Sequence, residues 1–272
     1  MRCQSLSPVV YTMTAATDAV SGPLTSVSNL YNIAVIACGV IEPEVRHFSN
    51  NAPHIRTLVF LPQGLHNEPE RMQRELQAAI TRAEADPAIG AVVLVYGLCG
   101  RGVENLRHDR CPLVMARAHD CVTLFLGDKE RYAARQREQP GTYWFNPGWI
   151  RGGASPGPER EARLRQEYAA KFGEEDVDYL LEMDRAGLAH YHRAAYVGLG
   201  LGDVQKETDY TRSCAACLGW GFDQIPGDPA LLQALLHGEW DEKRFLVVPP
   251  RHFIRLTGDD SIIRAEPEAP AS

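Results

Sequence analysis

Apolar residues in this chain form short continuous runs that alternate with stretches of helical periodicity. The runs at 33–37, 55–61 and 91–95 are rich in β-branched residues and contain few polar ones. Such runs are typical of strands that are buried on both faces of a parallel sheet. Between the second and third runs, apolar residues recur every three or four positions over 68–84, which predicts a helix that ends before Asp86-Pro87.

The same alternation continues through the rest of the chain. Further strands are predicted at 112–116, 141–145, 195–199, 222–225 and 245–248, and helices at 120–136, 159–172, 177–191, 210–218 and 228–237. Strands that alternate with helices are characteristic of α/β proteins with parallel sheets. The pattern therefore predicts an α/β fold of doubly wound, mostly parallel sheets with helices on both faces, built as two Rossmann-like lobes around a cleft.

Changes in composition along the chain suggest where its parts begin and end. A stretch rich in Gly and Pro lies at 151–158, the N-terminus is rich in Ser and Thr, and the C-terminus is acidic and rich in Pro and Ala. We predict a loose N-terminal extension (1–30), a first α/β lobe (31–150), a helical connection (151–193), a second α/β lobe (194–258) and a disordered tail (259–272).

Composition and charge narrow the class of protein. With 272 residues, of which 44% are hydrophobic and 23% charged, the chain is typical of a globular protein, and its formal charge of -7 argues against a nucleic-acid partner. No apolar stretch approaches the ~20 residues that span a bilayer, and no signal peptide is recognisable. We therefore expect a cytoplasmic protein without membrane contact, whose seven cysteines stay reduced.

Three cysteines directly follow predicted strands. Cys38 ends the first run, Cys99 follows the third run within a Tyr-Gly-Leu-Cys-Gly segment, and Cys121 follows the run at 112–116. The carboxyl ends of parallel strands meet at one edge of a sheet, where α/β proteins bind their ligands. We therefore expect these three thiols to converge there, together with His119.

Thiolate and imidazole ligands suit zinc, nickel or an iron–sulfur cluster. The sequence therefore predicts a centre of one of these kinds held by Cys38, Cys99, Cys121 and His119, with His119 acting alternatively as a proton carrier. The simpler alternative is that the cysteines are buried as small apolar side chains.

Other polar side chains near predicted strand ends are candidates for catalysis or substrate binding. His66 could be a metal ligand, a general base or a surface residue. Arg117 could hold a substrate carboxylate or phosphate, or pair with Asp120, which could itself contact substrate or cap the next helix. Thr142 and Asp203 are further candidates for substrate contact, and Asp203 could instead cap a helix.

The remaining cysteines are less suited to a site. Cys214 and Cys217 are two residues apart, but they fall inside a predicted helix and the chain has no second such pair, which favours packing. We interpret Cys3 and Cys111 as incidental.

Four segments of the chain resemble a known family. They are similar to segments of the uncharacterised domain-of-unknown-function family 1638 of bacteria and archaea, and lie at 96–100, 117–121, 141–144 and 147–149. The resemblance extends over about 32–254. The family has no established catalytic role, but its members occur near methyltransferase and corrinoid-protein genes. The resemblance therefore implies a setting in one-carbon or methylated-amine metabolism, with a corrinoid or methyltransferase protein as partner.

Three functions are compatible with these observations. The first is a metal- or iron–sulfur-dependent enzyme of transferase or redox type that acts on a small anionic substrate. The second is a two-lobed small-molecule-binding or accessory protein in which the cysteines only line a pocket. The third is an enzyme in which Cys99 is the nucleophile and His66 or His119 the base.

Overall fold

A computed structural model of the protein describes residues 9–12, 32–153 and 155–268. The internal contacts divide the chain into two compact units. Unit 1 comprises Met1–Lys129 and Asp228–Ser272, and unit 2 comprises Glu130–Gly227. Residues 130–150 thus belong to unit 2 and residues 228–258 to unit 1, which differs from the predicted lobe boundaries.

The strands and helices follow one another along the chain as below. The strands are β1 (Val9–Thr12), β2 (Asn32–Cys38), β3 (Ile55–Leu61), β4 (Ile89–Val95), β5 (Leu113–Ala116), β6 (Thr142–Phe145), β7 (Arg193–Gly198), β8 (Gly221–Pro226), β9 (Phe245–Val248), β10 (His252–Leu256) and β11 (Ile263–Pro267). The helices are α1 (Glu42–Ser49), α2 (Pro69–Glu84), α3 (Val122–Leu126), α4 (Lys129–Glu138), α5 (Pro147–Arg151), α6 (Pro158–Phe172), α7 (Val177–Gly187), α8 (Val204–Leu218) and α9 (Ala230–His237).

Unit 1 contains a six-stranded sheet in the order β1-β3-β2-β4-β5-β9. The inner strands β3, β2, β4 and β5 are parallel, and β1 and β9 run antiparallel at the two edges. From β2 the chain moves to β3 on one side and later to β4 on the other. The strand order therefore reverses between β2 and β4, and a crevice that binds ligands typically opens beyond the carboxyl ends of two such strands.

Helices cover both faces of this sheet, as the continuous apolar runs predict. The apolar side of α2 packs in one core with alternate strand residues such as Ile36 and Leu94. Helix α1 contacts β2, and α9 contacts α1, β4 and β5, while the intervening strand residues such as Val35 and Val93 are also fully buried. The predicted α/β class with a mostly parallel central sheet is confirmed.

Unit 2 has a smaller parallel sheet in the order β6-β7-β8. Helix α8 packs against β7 and β8, and α6 contacts α7. A small core unites Phe145, Ala194, Cys214 and Ala215. Within the described part of the chain, no helix is both long enough and apolar enough to cross a membrane.

Several local predictions need correction. The helix predicted at 120–136 breaks into α3 and α4 because Gly127 adopts a left-handed conformation (φ 79°) and ends α3. No helix was predicted directly after the strand at 141–145, but α5 begins there, since the Asn146 side chain accepts a hydrogen bond from the Trp149 N–H (2.8 Å). The predicted disordered tail contains β11, which pairs with β10, and the predicted loose N-terminal extension contains β1, which pairs with β3. Strand β11 pairs with the preceding strand and β1 with a strand that is distant in the sequence, and periodicity within each segment does not reveal either pairing.

Candidate functional site

The structure brings Cys38, Cys99 and Cys121 together at the carboxyl edge of the unit 1 sheet. Cys38 is the last residue of β2, Cys99 lies in the loop after β4, and Cys121 precedes α3 in the loop after β5. Cys38 and Cys99 each act electrostatically on Cys121, and Cys38 acts on Cys99. Three neighbouring parallel strands thus supply one thiol each to the edge where the strand order reverses.

Backbone contacts join the loops after β4 and β5. The Leu98 N–H donates to the carbonyl oxygen of Ala118 (2.8 Å), and the Cys99 N–H donates to that of His119 (3.1 Å). A Cβ atom at Gly97 would lie 2.5 Å from the Cα of Asp120, so only glycine permits this approach. Gly97 is therefore required to hold Cys99 next to Cys121.

Cys99 has an unusual backbone conformation. Its φ is 45°, in the left-handed region that residues other than glycine rarely adopt. The hydrogen bond of its N–H to His119 holds it there. Strain of this kind is concentrated at functional sites, where the surrounding structure over-determines the conformation.

The three thiols have raised pKa values. Burial raises the pKa of Cys38 to about 11, an effect that a backbone hydrogen bond from Val40 partly opposes. Burial, followed by the neighbouring Cys38 and Asp120, raises the pKa of Cys99 to about 12. The pKa of Cys121 is raised well above its ordinary value by burial and then by Cys99, Asp120 and Cys38. The thiols therefore keep their protons at neutral pH unless a cation displaces them.

Tyr96 lies among the thiols and was missed as a candidate site residue. Its side chain is only 2% exposed, and its hydroxyl has no hydrogen-bond partner. Cys38, Cys99 and Cys121 all raise the pKa of the Tyr96 phenol, although burial raises it most. Its position one residue after β4 was the available signal, since the same position at a strand end singled out the cysteines.

His66 and Asp120 provide proton-carrying groups near the thiols. His66 is exposed over part of its surface, and burial of the rest lowers the pKa of its imidazole, an effect that the Asp120 charge opposes. The Asp120 carboxylate accepts a hydrogen bond from the Val122 N–H (2.9 Å), although the N-cap position of α3 is occupied by Cys121. Asp120 therefore both orders the start of α3 and acts on His66 and the thiols.

The structure places His119 and Arg117 differently from the cysteines. The His119 side chain is exposed, and its backbone carbonyl is the group that contacts Cys99. The Arg117 guanidinium donates to the backbone carbonyl oxygens of Glu242, Ser261 and Ile263. These bonds anchor the C-terminal segment to the end of β5.

Two predicted substrate-binding residues lie in unit 2 and make local contacts. The Thr142 hydroxyl donates to the carbonyl oxygen of Gln139 (2.8 Å). The Asp203 carboxylate accepts from the Lys206 N–H (3.0 Å) and caps α8, which agrees with its alternative interpretation.

The remaining cysteines are dispersed. Cys214 is buried in the core of unit 2, whereas Cys217 is exposed on the same helix. Cys111 is buried, and its thiol contacts the Glu84 carboxylate (3.7 Å). Cys3 lies outside the described residues. The packing interpretation agrees with the position of Cys214 but is wrong for Cys217, which is exposed.

The donor set suits a soft metal, but it is not assembled. In residues 9–12, 32–153 and 155–268, no group of three or more His, Cys, Asp or Glu side chains could hold a metal ion as it stands. Each of the three cysteine side chains has a single rotatable bond that places its sulfur. A metal centre held by these residues therefore requires a change in the positions of the three sulfurs.

Comparison with known proteins identifies a family but no activity. A family model described as "Protein of unknown function (DUF1638)" matches residues 60–236. No curated protein matches the chain, and no solved structure does. The setting in methyl-group metabolism therefore stays a prediction. Because the match covers well over half of the sequence and includes Tyr96, Cys99 and Cys121, the chain belongs to DUF1638, a family of proteins of unknown function.

Proposed function

We propose that unit 1 is an enzyme domain whose metal ion or iron–sulfur cluster is held by Cys38, Cys99 and Cys121. The observation that carries this proposal is the meeting of three thiols, one from each of three neighbouring parallel strands, where the strand order reverses. Packing alone does not require a thiol at the end of every one of these strands.

The chemistry of the donor set supports the proposal. Three thiolates close together would repel one another, and a bound cation removes that repulsion and replaces the three protons. Sulfur ligands favour zinc or an iron–sulfur centre over harder metals such as magnesium. Three protein ligands also leave one coordination position open, which is characteristic of catalytic metal sites and would accept a small substrate.

His66 is better placed than His119 to carry protons at this site. The Asp120 carboxylate acts on both His66 and the thiols, whereas His119 contacts Cys99 through its backbone carbonyl. The lowered pKa of His66 keeps its imidazole neutral at neutral pH, and in that form it can accept a proton from a substrate.

Metal analysis of the intact protein tests the proposal. Anaerobically purified protein is expected to contain zinc or iron with sulfide, measured by elemental analysis and by the absorption spectrum. Cys38→Ser, Cys99→Ser and Cys121→Ser should each lose most of the metal, while Cys217→Ser, which alters an exposed thiol in unit 2, should retain it. Metal-free wild-type protein that takes up neither zinc nor iron on reconstitution would contradict the proposal.

Nucleophilic catalysis by Cys99 is the second candidate. The left-handed conformation of Cys99 favours it, because nucleophiles of α/β enzymes often occupy strained turns after strands. Its raised pKa is unfavourable, since the thiolate is the nucleophile. If metal-free protein is alkylated by iodoacetamide at neutral pH faster at Cys99 than at exposed Cys217, this function replaces the first.

A further inference from the structure

We infer that Tyr96 is a positioning residue of the thiol centre and that its hydroxyl donates a hydrogen bond to a cysteine sulfur when the thiols bind a metal. This inference rests on the proposed function, because a thiolate exists there only when a cation has displaced the proton. In this proposal Tyr96 does not itself bind the metal.

The Tyr96 hydroxyl has no hydrogen-bond partner. The side chain is 2% exposed, and its oxygen has neither a protein partner nor contact with solvent. A buried hydroxyl without a partner destabilises a fold, and phenylalanine would fill the same space without that cost. The hydroxyl therefore indicates a bound state in which an acceptor is present.

Cys38 and Cys99 pack against the same hydrophobic core that contains Tyr96. Cys38, Cys99 and Cys121 each act electrostatically on the Tyr96 phenol. A neutral thiol is a weak acceptor, whereas a thiolate is charged and accepts strongly.

Tyr196 is a buried tyrosine whose hydroxyl does have a hydrogen-bond partner. It is also 2% exposed, but its hydroxyl donates to the Glu207 carboxylate (2.7 Å) in unit 2. The two residues therefore form a matched pair that differs in whether the hydroxyl has a partner.

The experiment compares Tyr96→Phe with Tyr196→Phe in the full chain, using Co²⁺ as the probe. We expect wild-type protein to bind Co²⁺ with sulfur-to-cobalt charge-transfer bands. Tyr96→Phe should bind Co²⁺ roughly 10-fold or more weakly, as is typical when a hydrogen bond to a ligand is removed. Its charge-transfer bands should move to lower energy, because loss of the hydrogen bond raises the sulfur lone pairs.

Thermal unfolding of the metal-free proteins supplies the second readout. Tyr96→Phe should melt at the same temperature as wild type or higher, whereas Tyr196→Phe should melt lower and bind Co²⁺ like wild type. If wild type binds Co²⁺ and Tyr96→Phe matches it in affinity and spectrum, the role of Tyr96 is refuted while the thiol centre stands. If wild type shows no charge-transfer bands, a metal-ion centre on these thiols is refuted, and the role of Tyr96 with it.

Discussion

At Cys99, a reactive side chain and a costly backbone conformation occur in the same residue. A left-handed φ costs a residue with a Cβ roughly 1–2 kcal/mol relative to its ordinary conformations. Glycine would avoid this cost, and glycines stand on both sides of Cys99 in the sequence. Glycine would form the turn at lower cost, so the presence of cysteine at this position indicates that the residue is needed for its thiol.

This interpretation predicts opposite orders of stability at two of the cysteines. Cys99→Gly should be more stable than Cys99→Ala by up to about 1 kcal/mol, because relief of the left-handed strain exceeds the extra freedom of glycine in the unfolded chain. At Cys38, whose φ is -68°, the glycine variant should be the less stable one. Urea unfolding of the four metal-free variants measures both differences, and the same order at both positions would contradict the prediction.

At the scale of the elements, the ends of β4 and β5 are held together beyond their last paired residues. The Leu98 and Cys99 N–H groups continue the ladder onto Ala118 and His119. Gly97 allows the two backbones to touch at Asp120. The position of Cys99 beside Cys121 is thus a consequence of backbone geometry, which a single methyl group would disrupt.

Gly97→Ala is the corresponding prediction. Its Cβ would meet backbone atoms of Asp120 at 2.5–2.7 Å, which no side-chain movement can relieve. We expect a loss of about 1–3 kcal/mol in the free energy of unfolding and a loss of metal binding. Gly187→Ala is the control, because nothing lies within 4 Å of its Cβ and alanine is favourable in α7. A Gly97→Ala protein as stable as wild type would disprove the close contact.

For the whole molecule, the buried thiols make the stability of the metal-free fold sensitive to alkaline pH. The ordinary thiol pKa is 9.0, and the folded values are about 11 for Cys38 and about 12 for Cys99. Below pH 9 the folded and the unfolded protein both keep these protons, so the two thiols do not change the free energy of unfolding there. Above pH 9 the unfolded chain releases protons that the folded one retains, and stability falls until the folded thiols ionise in turn.

The free energy of unfolding of the metal-free protein should therefore fall between pH 9 and pH 11. Each thiol contributes at most about 1.4 kcal/mol per pH unit. Urea unfolding under reducing conditions at several pH values measures this slope. The double variant Cys38→Ala, Cys99→Ala should show a shallower slope, and Cys217→Ser should match wild type. Equal slopes in all three proteins would mean that these thiols ionise as readily when folded as when unfolded.

Local patterns were sufficient to predict most strands and helices of this protein. Strands 55–61 and 245–248 have their predicted bounds, because short continuous apolar runs favour strands. Pairing between distant segments was not predictable in this way. Strand β9 pairs with β5, and β1 pairs with β3. The residues of β9 and of β1 do not indicate which strand each of them pairs with. The division into units depends on such pairing, which is why the predicted boundaries differ.

The sequence by itself determined that thiols would stand at the ends of three buried strands, since apolar runs and the residues that follow them are local features. Only the tertiary structure decided what surrounds those thiols. It placed Asp120 where it acts on the thiols and Tyr96 where the thiols act on it, exposed the His119 side chain, and engaged Arg117 with backbone carbonyls. The direction of a side chain in a loop depends on backbone contacts such as that of Gly97 with Asp120, and those contacts form between segments that are remote in the chain.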